Sequence, residues 1–239
     1  MWLISDKVLV RDSGLLEGFC DYHCHLLPGV DDGVQETAET LRILREWQSV
    51  GVGEVWLTPH IMEDMPNEPE ELKRQSAVLR ETYDGGIRLH IAAEHMMDGL
   101  FMRRIAEDNL LPYDTESMRL LVETSYYIPP MNMDDIIDHI KVKGYEPLLA
   151  HPERYQYMEK NDYRHWKEKG VLLQLNLPSL VGAYGPEVLH KAEWLLKEGM
   201  YDFFGSDTHS MEQVDFFLDA SISRKVVKKV RQLMTDKQP

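Results

Sequence analysis

Short apolar runs alternate along this chain with longer stretches in which apolar residues recur every three or four positions. The runs predict strands at 19–26, 52–58, 87–94, 120–124, 147–150, 171–177 and 201–205. The longer stretches predict helices at 35–50, 69–83, 101–108, 133–143, 162–169, 186–198 and 221–234. In the first helix Ala38, Leu41, Leu44 and Trp47 repeat at a spacing of three, one face of a helix. Pro186 opens a helix, and Gly51, Gly144, Gly170 and Gly199 follow helix ends, where a left-handed residue closes the last turn. Seven strand–helix alternations without a composition break predict an α/β protein with a parallel sheet and outer helices. Seven units favour a barrel over an open doubly wound sheet.

The 239 residues fit one α/β barrel domain over 1–239. Residues 1–18 then form an extension before the first strand, either covering the barrel base or making an oligomer contact, and 235–239 a flexible tail. The formal charge of −15 argues against a nucleic-acid partner, which needs a basic surface. It does not exclude a phosphate substrate, because clustered divalent cations make a site locally positive. Cys20 and Cys24 lie within one strand, where cross-linking is geometrically poor. Both are read as reduced thiols of an intracellular protein. No basic leader precedes an apolar core, and no apolar run approaches the ~18–20 residues of a membrane span. The expectation is a cytoplasmic protein without membrane insertion.

The candidate chemistry lies where the strands end. The first strand runs into His23-Cys24-His25 and then Asp31-Asp32-Gly33. The second ends at His60, the third at Glu94-His95, the fourth at Glu123, the fifth at His151-Pro152-Glu153-Arg154 and the last at Asp207-Thr208-His209. Parallel barrels build their sites at the C-terminal ends of strands, so these imidazoles and carboxylates share one rim. His23 and His25, two apart, face the same way, and Cys24 faces the other. Asp207 and His209 repeat that spacing on the last strand, which neighbours the first in a closed barrel. Such a donor set suits divalent Mn, Fe or Zn. Arg154 offers a guanidinium to a phosphoryl group, or else a surface ion pair with Glu153. Asp31 and Asp32 also read as a helix start. His60 and His151 each have an alternative as core histidines, and Glu94 and Glu123 must be paired or ligating if buried. His90, His95, His139, His165 and His190 read as structural or solvated. A Cys-phosphatase loop, a G-x-S-x-G elbow and a Walker loop are all absent from the sequence.

With DYHCHLLPGVDDG, LTPH, IAAEHMMD, LVET, AHPERY and FGSDTH in order, the chain resembles the PHP (polymerase and histidinol phosphatase) superfamily. Within it, the chain looks like the CpsB/YwqE-type bacterial tyrosine-protein phosphatases of capsule and exopolysaccharide loci. The resemblance implies a distorted (β/α)7 TIM-like barrel with two or three divalent metal ions, manganese by preference and iron or zinc otherwise. It implies one ion on His23, His25, Glu94 and Asp207, a second on Glu94, Glu123 and His151, and a third on Asp32, His60 and His209. Arg154 would grip the phosphate. The implied partner is a phosphotyrosine protein, a bacterial tyrosine autokinase of polysaccharide export. One departure stands out: relatives often carry another arginine soon after D-x-H, whereas SMEQVDFFL has none. Rival readings are a histidinol-phosphatase-like enzyme with a small substrate, an amidohydrolase, which lacks its bridging lysine here, and a metal-binding regulatory module.

Overall fold

The seven alternations reappear in the computed structural model, which describes residues 6–114 and 116–237. The chain begins with β1 (Lys7–Leu9) and continues through β2 (Cys20–Cys24), α1 (Thr37–Ser49), β3 (Glu54–Leu57) and β4 (His60–Ile61). Next come α2 (Pro69–Thr82), β5 (Arg88–Ile91), β6 (Glu94–Met96), α3 (Gly99–Ala106) and β7 (Arg119–Glu123). The second half runs α4 (Met133–Val142), β8 (Glu146–Leu149), α5 (Lys160–Glu168), β9 (Leu172–Asn176) and α6 (Pro186–Glu198). It closes with β10 (Phe203–Gly205), α7 (Met211–Asp219), β11 (Ser221–Ser223) and α8 (Arg224–Lys237).

The parallel strands form a strongly curled sheet. One ladder runs β2-β3-β5 and the other β4-β6-β7-β8-β9-β10. Two strands resume at or beyond the end of their predicted runs after a break, β3 as β4 across Thr58-Pro59 and β5 as β6 across Ala92-Ala93. A proline has no N–H for the ladder, which accounts for the first break. The ends of the curl meet: Asp207 N–H donates to the His23 carbonyl at 2.7 Å, and His25 N–H to the Thr208 carbonyl at 2.9 Å. Gly205 makes this approach feasible, since a Cβ there would stand 2.5 Å from the Cβ of His23.

Buried side chains separate into two layers. A large cluster joins outward strand residues such as Val55, Leu57 and Leu149 to helix residues such as Ile43, Ile137 and Leu195. A smaller one, contributed by strands all around the ring, holds Tyr113, Leu121, Leu148 and Phe203 with Tyr22 and Trp56 against it. It plugs the barrel below the strand ends. The β2–β3 register shifts between Asp21 and Cys24. That bulge lets Tyr22 join the plug while the next residue, His23, also turns inward, which strict alternation forbids.

Several expectations need correction. Asp31 and Asp32 do not start a helix; α1 begins at Thr37 behind Glu36. Helix α7 was not expected, although Ser210 caps it through Gln213 N–H and Met211, Val214, Phe217 and Leu218 are buried. Residues 221–223 belong not to the last helix but to β11, which pairs antiparallel with β1. The extension is thereby fastened to the C-terminal segment; Val10 N–H also reaches the Ala220 carbonyl at 3.0 Å, and Arg231 the carbonyl of Gly14. Of the expected tail, 235–237 continue α8, and residues 238–239 lie outside the described residues, as do residues 1–5 of the extension.

Candidate metal centre

The rim above the plug collects all nine predicted donors. His25, Asp32, His60 and His209 form one group whose ligand atoms lie within 4.8 Å of one another. His23, His25 and Asp207 form a second, His23, Glu94 and His151 a third, and His60, Glu94 and Glu123 a fourth. Glu94 is the hub. Its Oε2 stands 3.2 Å from His23 Nε2, 3.4 Å from His25 Nε2 and 3.1 Å from His60 Nδ1. Its Oε1 is 3.0 Å from His151 Nε2. His60 presents both nitrogens: Nδ1 is 3.1 Å from Glu123 Oε1 and Nε2 is 3.4 Å from Asp32 Oδ1. His209 Nε2 reaches the same Asp32 oxygen at 3.6 Å.

The backbone is bent to make this convergence. His151 and Asp207 both have positive φ, at 33° and 52°. Such conformations cost about 1–3 kcal/mol each and concentrate at functional sites. Gly33 is required where the Asp31–Gly33 loop passes under His25; a Cβ would lie 2.2 Å from the His25 carbonyl oxygen.

A layer of polar groups aims the imidazoles. Asp31 accepts from His25 Nδ1 at 2.8 Å, from His60 N–H at 3.0 Å and from Gly33 N–H at 3.0 Å. Burial pushes the Asp31 carboxyl up, but the hydrogen bond and charge of His25 together with the Gly33 and His60 N–H groups outweigh it and leave the group at about 2. Gln174 Oε1 accepts from His23 Nδ1 at 2.7 Å. These bonds leave the Nε2 atoms of His23 and His25 facing the hub. Asp21 takes Ser206 Oγ at 2.6 Å and Ser206 N–H at 2.8 Å, tying the first strand to the last; burial raises its carboxyl to about 6.

The donors fit divalent cations. His60 Nδ1, Glu94 Oε2 and Glu123 Oε1 are buried without a well-formed hydrogen bond although they lie close together. Buried charge left that way is costly, and an ion among imidazole and carboxylate donors resolves it. Burial pushes Glu94 and Asp207 up, yet facing His23 and His25 they are held well below the usual carboxylate range. Metal ligation needs those imidazoles neutral, so loading should release protons.

Arg154 is placed at the edge of this cluster. It pairs with Asp207, correcting the expected alternative of Glu153. Glu153 is instead buried, accepting from Asn176 N–H at 3.0 Å, Ser179 Oγ at 2.8 Å and Tyr201 OH at 2.9 Å. The guanidinium carbon sits 4.5 Å from the ring centre of Tyr126 and 4.3 Å from that of Tyr184. Both tyrosines went unforeseen: they lie in loops, Tyr184 far from any motif. Gln174 had a signal, an amide inside the apolar run VLLQLNL. Gln213 of α7 also lines the cavity, its Oε1 accepting from His209 N–H at 2.7 Å. His95 stays apart from the cluster; its Nε2 accepts from Leu111 N–H at 3.3 Å, and burial beside Arg104 lowers it to about 3.

A curled parallel α/β sheet bearing a buried histidine–carboxylate cluster at its strand ends defines a metal-site barrel. Comparison with known proteins narrows the class. The model of the family described as "Capsular polysaccharide synthesis, CpsB/CapC" matches residues 19–237, and the chain belongs to that family. The tyrosine-protein phosphatase YwqE of Bacillus subtilis is 27% identical over 202 residues, covering 82% of this chain and 79% of that one. The tyrosine-protein phosphatase CpsB of Streptococcus pneumoniae is 24% identical over 234 residues, 90% of this chain and 95% of that one. A solved structure described among YwqE and CpsB as "unique metal-dependent tyrosine phosphatases" superposes with a TM-score of 0.76 at 24% identity. It covers 90% of this chain and 86% of that chain.

Proposed function

We propose that this protein is a metal-dependent tyrosine-protein phosphatase, a phosphomonoesterase of the CpsB/YwqE type. The observation that carries the reading is the convergence of four imidazoles, those of His23, His25, His60 and His151, on Glu94 with Arg154 at the edge of the cluster. The names of its relatives point to the same activity. The ligand sets proposed are His23, His25, Glu94 and Asp207 for one ion, Glu94, Glu123 and His151 for another, and Asp32, His60 and His209 for a third. Manganese is the preferred ion, with iron or zinc as alternatives.

When bound, the ions supply Lewis acidity and neutralise phosphoryl charge. The chain's own residues do the rest. Asp31 and Gln174 hold His25 and His23 in the tautomers that face the site. Arg154 takes non-bridging phosphate oxygens in its planar fork. The aromatic plug closes the barrel from below and excludes water. A tyrosinate leaving group, whose conjugate acid has a pKa near 10, departs without a dedicated acid. The substrate proposed is a phosphotyrosyl protein, specifically a bacterial tyrosine autokinase of polysaccharide export, and the location cytoplasmic. No helix among the described residues is long and apolar enough to cross a membrane.

The test is hydrolysis of p-nitrophenyl phosphate, a phosphotyrosine peptide and histidinol phosphate by metal-stripped protein with Mn²⁺ added back. The reading expects turnover of the first two only, and loss of metal and most activity in His151→Ala. Failure to cleave any of them with metal bound would refute it; cleavage of histidinol phosphate alone would move the function to small phosphoesters.

A further inference from the structure

Among the described residues, Arg154 is the only lysine or arginine lining the cavity over the donor cluster. With no second arginine soon after D-x-H, the grip on phosphate rests on one long, flexible side chain. Its surroundings remove that flexibility. The ring of Tyr126, in the loop after β7, and the ring of Tyr184, just before α6, both stand under the guanidinium carbon, at 4.5 and 4.3 Å. Asp207 takes one edge through Nη1. Asn176 Nδ2 donates to Tyr184 OH at 3.1 Å and to Asp207 Oδ2 at 3.2 Å, so the second ring and the carboxylate share one anchor. A planar cation packed against two rings and held through Nη1 has little freedom left to turn.

We propose that Tyr126 and Tyr184 are positioning residues that clamp Arg154 between their rings, so that its free N–H edge is pre-set for the non-bridging oxygens of a phosphoryl group. This rests on the phosphatase reading above and adds the device that lets one arginine suffice. Stacking of a cation on each ring is worth enough to change affinity roughly 3- to 30-fold. The pre-set fork saves ordering the side chain when the anion arrives. The role assigned to the rings is exerted through Arg154.

The experiment uses the full-length, Mn²⁺-loaded protein and reads inorganic phosphate binding by calorimetry beside kcat and KM for p-nitrophenyl phosphate. Tyr126→Leu and Tyr184→Leu should each weaken phosphate binding and raise KM by about 3- to 30-fold, with kcat changing less. Tyr126→Phe and Tyr184→Phe, which keep the ring, should restore most of the affinity; a purely structural role of the hydroxyls would show the reverse. Arg154→Ala should weaken phosphate binding in the wild-type background and much less in the double-leucine background, since coupled residues are not additive. Leucine variants that bind phosphate as tightly as wild type, while Arg154→Ala binds it weakly, would overturn the clamp and leave the phosphatase reading standing. Unchanged phosphate binding in Arg154→Ala would overturn both the grip and the clamp. Absence of turnover would fall on the activity alone, because calorimetry reads the clamp without it.

Discussion

Asp31 binds no ion in the proposed scheme, yet changing it should disarm the site. Its carboxylate accepts three bonds, from His25 Nδ1 at 2.8 Å and the backbone N–H groups of His60 at 3.0 Å and Gly33 at 3.0 Å. Asp31→Ala strands all three donors. Each orphaned buried donor costs about 1–3 kcal/mol, so the two backbone groups alone cost roughly 2–6 kcal/mol of stability. His25, no longer fixed in tautomer or orientation, should lose metal affinity by about 10- to 100-fold, or roughly 1.4–2.7 kcal/mol. Asp31→Asn is milder: its amide oxygen can keep the bonds to His25 and His60 and lose only Gly33. It should sit near the low end of both ranges. Competition of metal-stripped protein against a fluorescent chelator for Mn²⁺ measures the affinity, and urea unfolding measures the stability. An alanine variant that holds Mn²⁺ as tightly as wild type would refute the reasoning that Asp31 aims His25.

Glu153→Ala should destabilise the protein by about 3 kcal/mol or more, because three buried donors lose their acceptor, while Tyr201→Phe should cost only about 1 kcal/mol; urea midpoints separate the two. Gly205→Ala should cost about 1–3 kcal/mol and lower metal content, since the new Cβ would stand 2.5 Å from the Cβ of His23 and force the sheet's ends apart; metal analysis of the folded variant checks this. Glu54 is held below its ordinary 4.5 by Arg88, against a little desolvation and with help from His90. A depressed carboxylate stabilises the fold above its unfolded pKa and loses that contribution as pH falls through the folded one. The advantage of wild type over Glu54→Gln in urea should therefore be present at pH 7 and vanish toward pH 3; a difference that grows on acidification would contradict the sign.

The sequence carried the phase of the barrel because apolar runs and charged ends recur in step, and a parallel barrel has only one rim on which to place them. All nine residues of the cluster were legible for that reason. What stayed hidden depends on departures from regular periods. The bulge in β2 turns Tyr22 and His23 the same way, which no alternation rule foresees. Helix α7 follows the D-x-H rim directly with only Ser210 to mark its start, and β1 and β11, three residues each, exist only through each other. Tyr126 and Tyr184 act through a cation that reaches them only after the chain has folded. Asp31 was visible as a residue, but helix capping and imidazole support look alike in DDG.

The seam between β10 and β2 also sets a timetable for synthesis. The His23 carbonyl waits for the amide of Asp207, and β1 waits for β11. At 5–20 residues per second, about 180 residues of translation hold the first strand's open edge unpaired for on the order of 10–40 s. Until then the nascent chain offers a bare strand edge and only part of its donor set, a window for mispairing with neighbours or scavenging the wrong ion. The centre exists only once the chain through His209 has left the ribosome.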